Sequence, residues 1–172
     1  MEMKMTIRKA VPADLPVIME IYSFARAFMK ENGNPNQWGP TNWPPEELIR
    51  KDIRDGHSYV VVSGGKIAGV FFFIAGKDIE PVYNVIEDGR WLDSSPYGVV
   101  HRIASNGKVR GILKFCIDWA YEQSGHHLRI DTHPDNAIMR HILPSLGFCQ
   151  CGIIHVEEDP YPRIAFEKSD II

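Results

Sequence analysis

The spacing of apolar residues changes several times along the chain, and each change marks an element. Positions Met5–Lys9 alternate, with Met5 and Ile7 on one side, which predicts a short strand. After Pro12-Ala13-Asp14 the spacing becomes three and four. Leu15, Ile18, Ile21, Tyr22, Ala25, Phe28 and Met29 then form one helical stripe, with Asp14 at the positive end of the helix dipole. Residues 32–45, NGNPNQWGPTNWPP, follow neither period and read as a long loop, after which 46–53 fits a short helix buried through Leu48, Ile49 and Ile53. Residues 58–63 and 67–75 are β-rich runs around Gly64-Gly65-Lys66, a hairpin signal. A polar, acidic segment separates them from a strand at 97–104. The remaining elements are a helix at 108–123, a strand at 127–131, a helix at 135–146, and strands at 148–155 and 163–167. This order predicts one α+β domain over residues 1–172, a three-layer fold whose mixed, mostly antiparallel sheet is flanked by helices.

Composition narrows the function classes. A net charge of -3 argues against a general nucleic-acid binder. No segment approaches the ~20 apolar residues a membrane span needs, and the N-terminal stretch lacks the apolar core of a signal peptide. A cytoplasmic, soluble protein with no membrane partner is expected. The cysteines Cys116, Cys149 and Cys151 show no four-ligand metal spacing and read as free thiols. Cys116 falls on a helix stripe, while Cys149 and Cys151 alternate toward one strand face, so core packing is expected of all of them.

Two stretches carry candidate chemistry. SNGKVRGILKF, residues 105–115, places Gly107, Gly111, Lys108 and Arg110 where a helix begins. Free first-turn amides, the dipole and glycine's conformational freedom suit an anion there, and an ordinary loop that starts a helix explains the same residues. The spacing fits neither a P-loop nor a dinucleotide fingerprint. Downstream, DTHPDNAIMRHILPSLGF offers Asn136 as a helix N-cap or as a partner for an amide-rich ligand, and Gly147 as the residue just past the helix. His126-His127 and the DTHPD segment contain possible ligands without a spacing that brings three to one metal, and no Ser-His-Asp order stands out.

Together these stretches resemble the acyl-CoA core of the GNAT superfamily of N-acyltransferases. That family's R/Q-x-x-G-x-G/A signature is matched by Lys108-Val109-Arg110-Gly111-Ile112-Leu113, with Lys108 and Leu113 as departures. Its second motif, Asn followed by Gly-Phe, is met by Asn136 and Gly147-Phe148, and TIRKAVPADLPVIMEIY is similar to its first strand and helix. The resemblance implies a GNAT-like fold and acetyl-CoA as co-substrate, while the ligand spacing already leads us to expect no metal. It implies pyrophosphate on the amides of Lys108, Val109, Arg110, Gly111 and Ile112, and pantetheine pairing along a splayed strand at Ile103 and Ala104, with Asn136 nearby. A backbone N–H near a bulge in that strand would polarise the thioester. An amine acceptor, small molecule or peptide, would attack directly, and a homodimer is left open.

The resemblance does not supply the proton chemistry. Many members carry a Tyr four residues before Gly-Phe, and this chain has Leu143 there. Tyr97, His101 and Tyr161 are the substitutes. Tyr97, Val99, His101 and Ile103 share one strand face by the period of two, and the family places the loop of Tyr161 beside the acceptor. Trp38 and Trp43 either cap the core or wall the acceptor pocket. Glu46, Glu47, Glu157, Glu158 and Asp159 favour a cationic acceptor or are simply solvated. The rival functions are a non-catalytic acyl-CoA-binding or sensing module, and a protein that binds another nucleotide or phosphate at the same helix.

Overall fold

The computed structural model describes residues 3–172. Its elements are β1 (Met5–Lys9), α1 (Leu15–Glu31), α2 (Glu46–Arg54), β2 (Ser58–Ser63), β3 (Lys66–Gly76), β4 (Tyr97–Ser105), α3 (Ile112–Gln123), β5 (His127–Thr132), α4 (Ala137–Ser145), β6 (Cys149–His155) and β7 (Pro162–Ser169). The strands form one seven-stranded sheet in the order β1-β2-β3-β4-β5-β7-β6. Every pairing is antiparallel except β4 with β5.

Strand alternation divides the core. Val61, Phe71, Phe73 and Val100 face α3 and α4, where they pack with Ile112, Cys116, Ile117, Ala120 and Leu143. Val60, Val70 and Ala104 face the other way, against Ile18, Ile21 and Tyr22 of α1 and Ile49 of α2. A third cluster joins Tyr83 of the long β3–β4 connection to Tyr97, Val99, Ile154 and Ala165. Burial of these side chains on both faces is the main stabilising term. A buried polar clasp holds the same connection down: Glu167 accepts from Leu92 N at 2.7 Å and Arg129 Nε at 2.9 Å, and Arg129 Nη2 donates to Asp93 O at 2.6 Å.

One helix start and one cysteine differ from the sequence reading. The helix expected from Lys108 begins only at Ile112, because Gly111 at φ 80° takes the left-handed conformation and ends an irregular turn. Cys149 is exposed while Cys151 is buried, because β6 is the edge strand and its register with β7 shifts between Gln150 and Gly152. The end of α4 follows expectation. Gly147 N donates to Pro144 O at 3.0 Å and Phe148 N to Leu143 O at 3.1 Å, the bond pattern of a Schellman cap. Among the described residues, no helix is long and apolar enough to cross a membrane.

Candidate active site

The parallel pair β4–β5 is hydrogen-bonded only at Gly98↔Leu128 and Val99↔Arg129. Beyond those residues the strands diverge, and their facing backbone edges are left without a ladder. A cleft of about 680 Å³ fills the wedge, within the usual range for small-molecule sites. It is lined by Val100, His101, Ile103 and Ala104 from β4 and by Ile130, Asp131 and Thr132 from β5.

A β-bulge shapes the β4 wall. Between Val70↔Ala104 and Phe72↔His101, β4 holds one more residue than β3, and Arg102 sits at φ 51°. The bulge reverses the alternation. Tyr97, Val99 and His101 share one face as expected, but Ile103 turns to the α3 face, contrary to the period of two. Tyr22 Oη donates to Arg102 O at 2.7 Å, and Arg102 pairs with Asp52 of α2 at 2.8 Å and lies 4.5 Å above the Phe72 ring. Burial pushes the Tyr22 phenol well above its ordinary value, which keeps it a neutral donor. The bulge is therefore held from both helices that cover this face.

At one end of the cleft lie the glycine-containing loop and the start of α3. Gly107, Ile112 and Leu113 line the cleft, whereas Lys108, Val109, Arg110 and Gly111, in the turn between them, lie outside its lining. Lys108 N donates to Asn106 Oδ1 at 3.0 Å. The amides of Val109, Arg110 and Gly111 have no partner among the described residues. Space around Gly111 is open, with no atom within 4 Å of where a Cβ would stand. Free amides beside a helix N-terminus and two exposed cations fit the pyrophosphate of a coenzyme A donor. Asn136 caps α4 by accepting from Met139 N at 3.1 Å, and its Nδ2 donates to Gln37 Oε1, also at 3.1 Å. Thr132, beside it in the lining, has a buried hydroxyl with no partner.

The other end is polar and mostly acidic. Glu80, Asp131, Glu157 and Glu158 line it, with His101 and Arg163. Arg163 is matched by Asp159, whose two oxygens accept at 2.6 and 3.1 Å. Burial raises the Glu158 carboxyl above its ordinary range. Burial acts in the same direction on Glu80, but its hydrogen bond with His101 and the nearby positive charge outweigh this and hold it below the ordinary value.

The expected residues separate in space. His101, Ile103, Ala104, Ile112, Asn136, Trp38 and Trp43 line the cleft. Trp38 does so while buried edge-on against Tyr22, with ring centroids 5.8 Å apart, so it belongs to core and wall together. Tyr97 is not in the cleft. It is buried, its ring lies 4.1 Å from the Arg129 guanidinium, and its hydroxyl meets no partner. Tyr161 also lies outside the lining, against the His133 ring. Leu143 is fully buried among the α4 core contacts. Glu80, Asp131 and Gln37 were not foreseen. Each becomes visible only when segments far apart in the chain are brought together.

A splayed parallel strand pair, a bulge at its mouth and a free-amide turn leading into a helix define an acyltransferase architecture. Comparison with solved structures supports this. The chain is 33% identical to an acetyltransferase of the GNAT family from Streptococcus agalactiae 2603, with a TM-score of 0.80 over 96% of this chain and 95% of that one. It belongs to the GNAT family of acetyltransferases and is an acyltransferase enzyme. A GNAT-family acetyltransferase from Listeria monocytogenes 4b F2365 shares the fold at 19% identity, TM-score 0.67, and 95% and 94% coverage. The ribosomal-protein-S18-alanine N-acetyltransferase from Escherichia coli does so at 16% identity, TM-score 0.60, and 95% and 92% coverage. No protein-family model and no curated protein matches the chain.

Proposed function

We propose that this enzyme transfers an acetyl group from acetyl-CoA to a primary amine by direct attack, without a covalent enzyme intermediate. The observation that carries the reading is the divergence of β4 from β5 past Val99 and Arg129, which leaves two unpaired strand edges around an open cleft. Strand-like pairing of an amide-bearing arm satisfies such edges. The amides of Val109, Arg110 and Gly111 would hold the pyrophosphate, with Lys108 and Arg110 adding charge. A backbone N–H at the Arg102–Ile103 bulge would polarise the thioester carbonyl.

The acceptor would enter at the acidic end. Arg163 and Arg102 are each matched by their own carboxylates, so Asp131, Glu157 and Glu158 leave an excess of negative charge. That excess favours an amine carrying positive charge. His101, on the cleft wall, is the group for proton transfer.

Isothermal titration tests the donor: micromolar acetyl-CoA binding without ATP binding is expected, whereas a preference for ATP would overturn it. Release of free thiol from acetyl-CoA in the presence of cationic amines tests transfer. Acetyl-CoA binding with no thiol release across a broad amine panel would indicate a sensing module instead.

A further inference from the structure

Glu80 lies 21 positions before His101 in the long β3–β4 connection, yet its Oε2 sits 2.6 Å from His101 Nε2. The His101 ring is fixed on other sides as well. It stacks on Phe72 with centroids 5.8 Å apart, and it meets the Tyr83 ring edge-on at 6.0 Å. Nδ1 lies 3.8 Å from Asp131 Oδ2, too long for a hydrogen bond. That Asp131 oxygen already accepts from Tyr83 Oη at 2.7 Å.

A carboxylate can only accept, so the 2.6 Å contact requires the proton to be on Nε2. The free ring lone pair is then on Nδ1, which faces the gap before Asp131. We propose that Glu80 is a positioning residue for catalysis: it holds His101 as the Nε2–H tautomer, so that Nδ1 takes the proton of the acceptor ammonium in front of Asp131. This rests on the acetyl-transfer reading above. The groups facing the imidazole are Glu80 and Tyr83 from the β3–β4 connection, Asp131 from β5 and Glu158 from the β6–β7 loop. Arg102 and Arg163 are nearby but engaged by Asp52 and Asp159. The surroundings are therefore net negative and favour an ammonium in front of the ring. Hydrogen bonding from His101 keeps Glu80 ionised, as this role needs.

The step balances. The ammonium N–H bond breaks toward Nδ1, and the freed lone pair forms the C–N bond at the thioester carbon as the C=O π pair moves onto oxygen, from which it returns on collapse. The C–S bond then breaks with its electron pair on sulfur. Nitrogen loses a second proton as the tetrahedral carbon collapses. Of the two protons, one ends on the thiolate and the other in solvent.

The tautomer is read in the ligand-free protein by long-range nitrogen–proton NMR correlation of labelled histidines. The expected result is Nε2–H for His101 in the wild type and mixed tautomers in Glu80→Gln. With acetyl-CoA and spermidine as probes, Glu80→Gln should lower kcat by about 100-fold with little change in KM. Glu80→Asp should recover part of the rate, and Glu80→Gln should cost nothing further in a His101→Ala background. An Nδ1–H tautomer in the wild type, or additive losses, would overturn the proposal. Absence of thermal stabilisation by acetyl-CoA would instead remove the donor reading. If spermidine is not acetylated, the tautomer and its change in Glu80→Gln decide the positioning role alone.

Discussion

Asn136 Nδ2 donates to Gln37 Oε1 at 3.1 Å across 99 positions of sequence, tying the N-terminus of α4 to the 32–45 loop. Gln37 Oε1 also accepts from Asn34 Nδ2 at 2.8 Å, and all these residues line the cleft. Asn136 thus caps its helix with one atom and holds the opposite wall with another. The loop wall and the start of α4 share one anchor.

Gln37→Ala should release that anchor without touching either strand edge. Stability should fall by about 1 kcal/mol, the usual worth of such a bond. Hydrogen exchange across 32–45 should quicken, and acceptor KM should rise several-fold more than acetyl-CoA affinity falls. Unchanged exchange in that loop would show that the link does not hold it.

Gly111 adopts φ 80° with open space around its missing side chain. Gly111→Ala should cost about 1 kcal/mol through left-handed strain alone. Gly111→Asp should add a like charge beside the pyrophosphate and weaken acetyl-CoA binding at least tenfold beyond the alanine variant. Equal affinity of folded Ala and Asp variants, by titration calorimetry, would remove the phosphates from this turn.

Leu143 occupies the family's usual Tyr position, but its side chain is fully buried and absent from the cleft wall. Leu143→Tyr should therefore overpack the α4 core, lowering stability by about 1–3 kcal/mol. No gain in kcat is expected. A faster enzyme with an unchanged melting temperature would show that the new phenol reaches the leaving thiolate.

Asp93 accepts from Ser95 and Ser169 and lies beside His127 in the buried clasp. Burial pushes its carboxyl up, but these hydrogen bonds outweigh that and bring it down to about 2. A group whose folded value is depressed stabilises the fold above its unfolded value, near ~4 for Asp. That contribution disappears as pH falls toward about 2. Urea melts should therefore lose stability steeply on acidification below about pH 4, and Asp93→Asn should flatten the slope while lowering stability at neutral pH. An equal slope in the variant would place the acid sensitivity elsewhere, for example at Glu167, which is also depressed.

Most elements were legible because their faces are regular. The α1 stripe of Ile18, Ile21 and Tyr22 and the hairpin around Gly64-Gly65 are set by local period and turn chemistry. Asn136 and Gly147 were legible as caps because capping acts within a few residues. The bulge at Arg102 was not, since an extra residue in β4 exists only relative to β3, and it reversed the orientation assigned to Ile103. Tyr97 had the right strand and face, but the β3–β4 connection covers that stretch and turns it into core.

Taken alone, the sequence determined the order of elements, the caps of α4, the glycine turn before α3 and the likeness to acyl-CoA transferases. Those features depend on contacts within about one helical turn or one hairpin, which residue order dictates directly. Tertiary structure decided where β4 leaves β5 and which loop residues face the gap. It also decided that His101 stands between Glu80 and Asp131. Three segments from different parts of the chain meet there, and only packing of the whole sheet sets the distances between them.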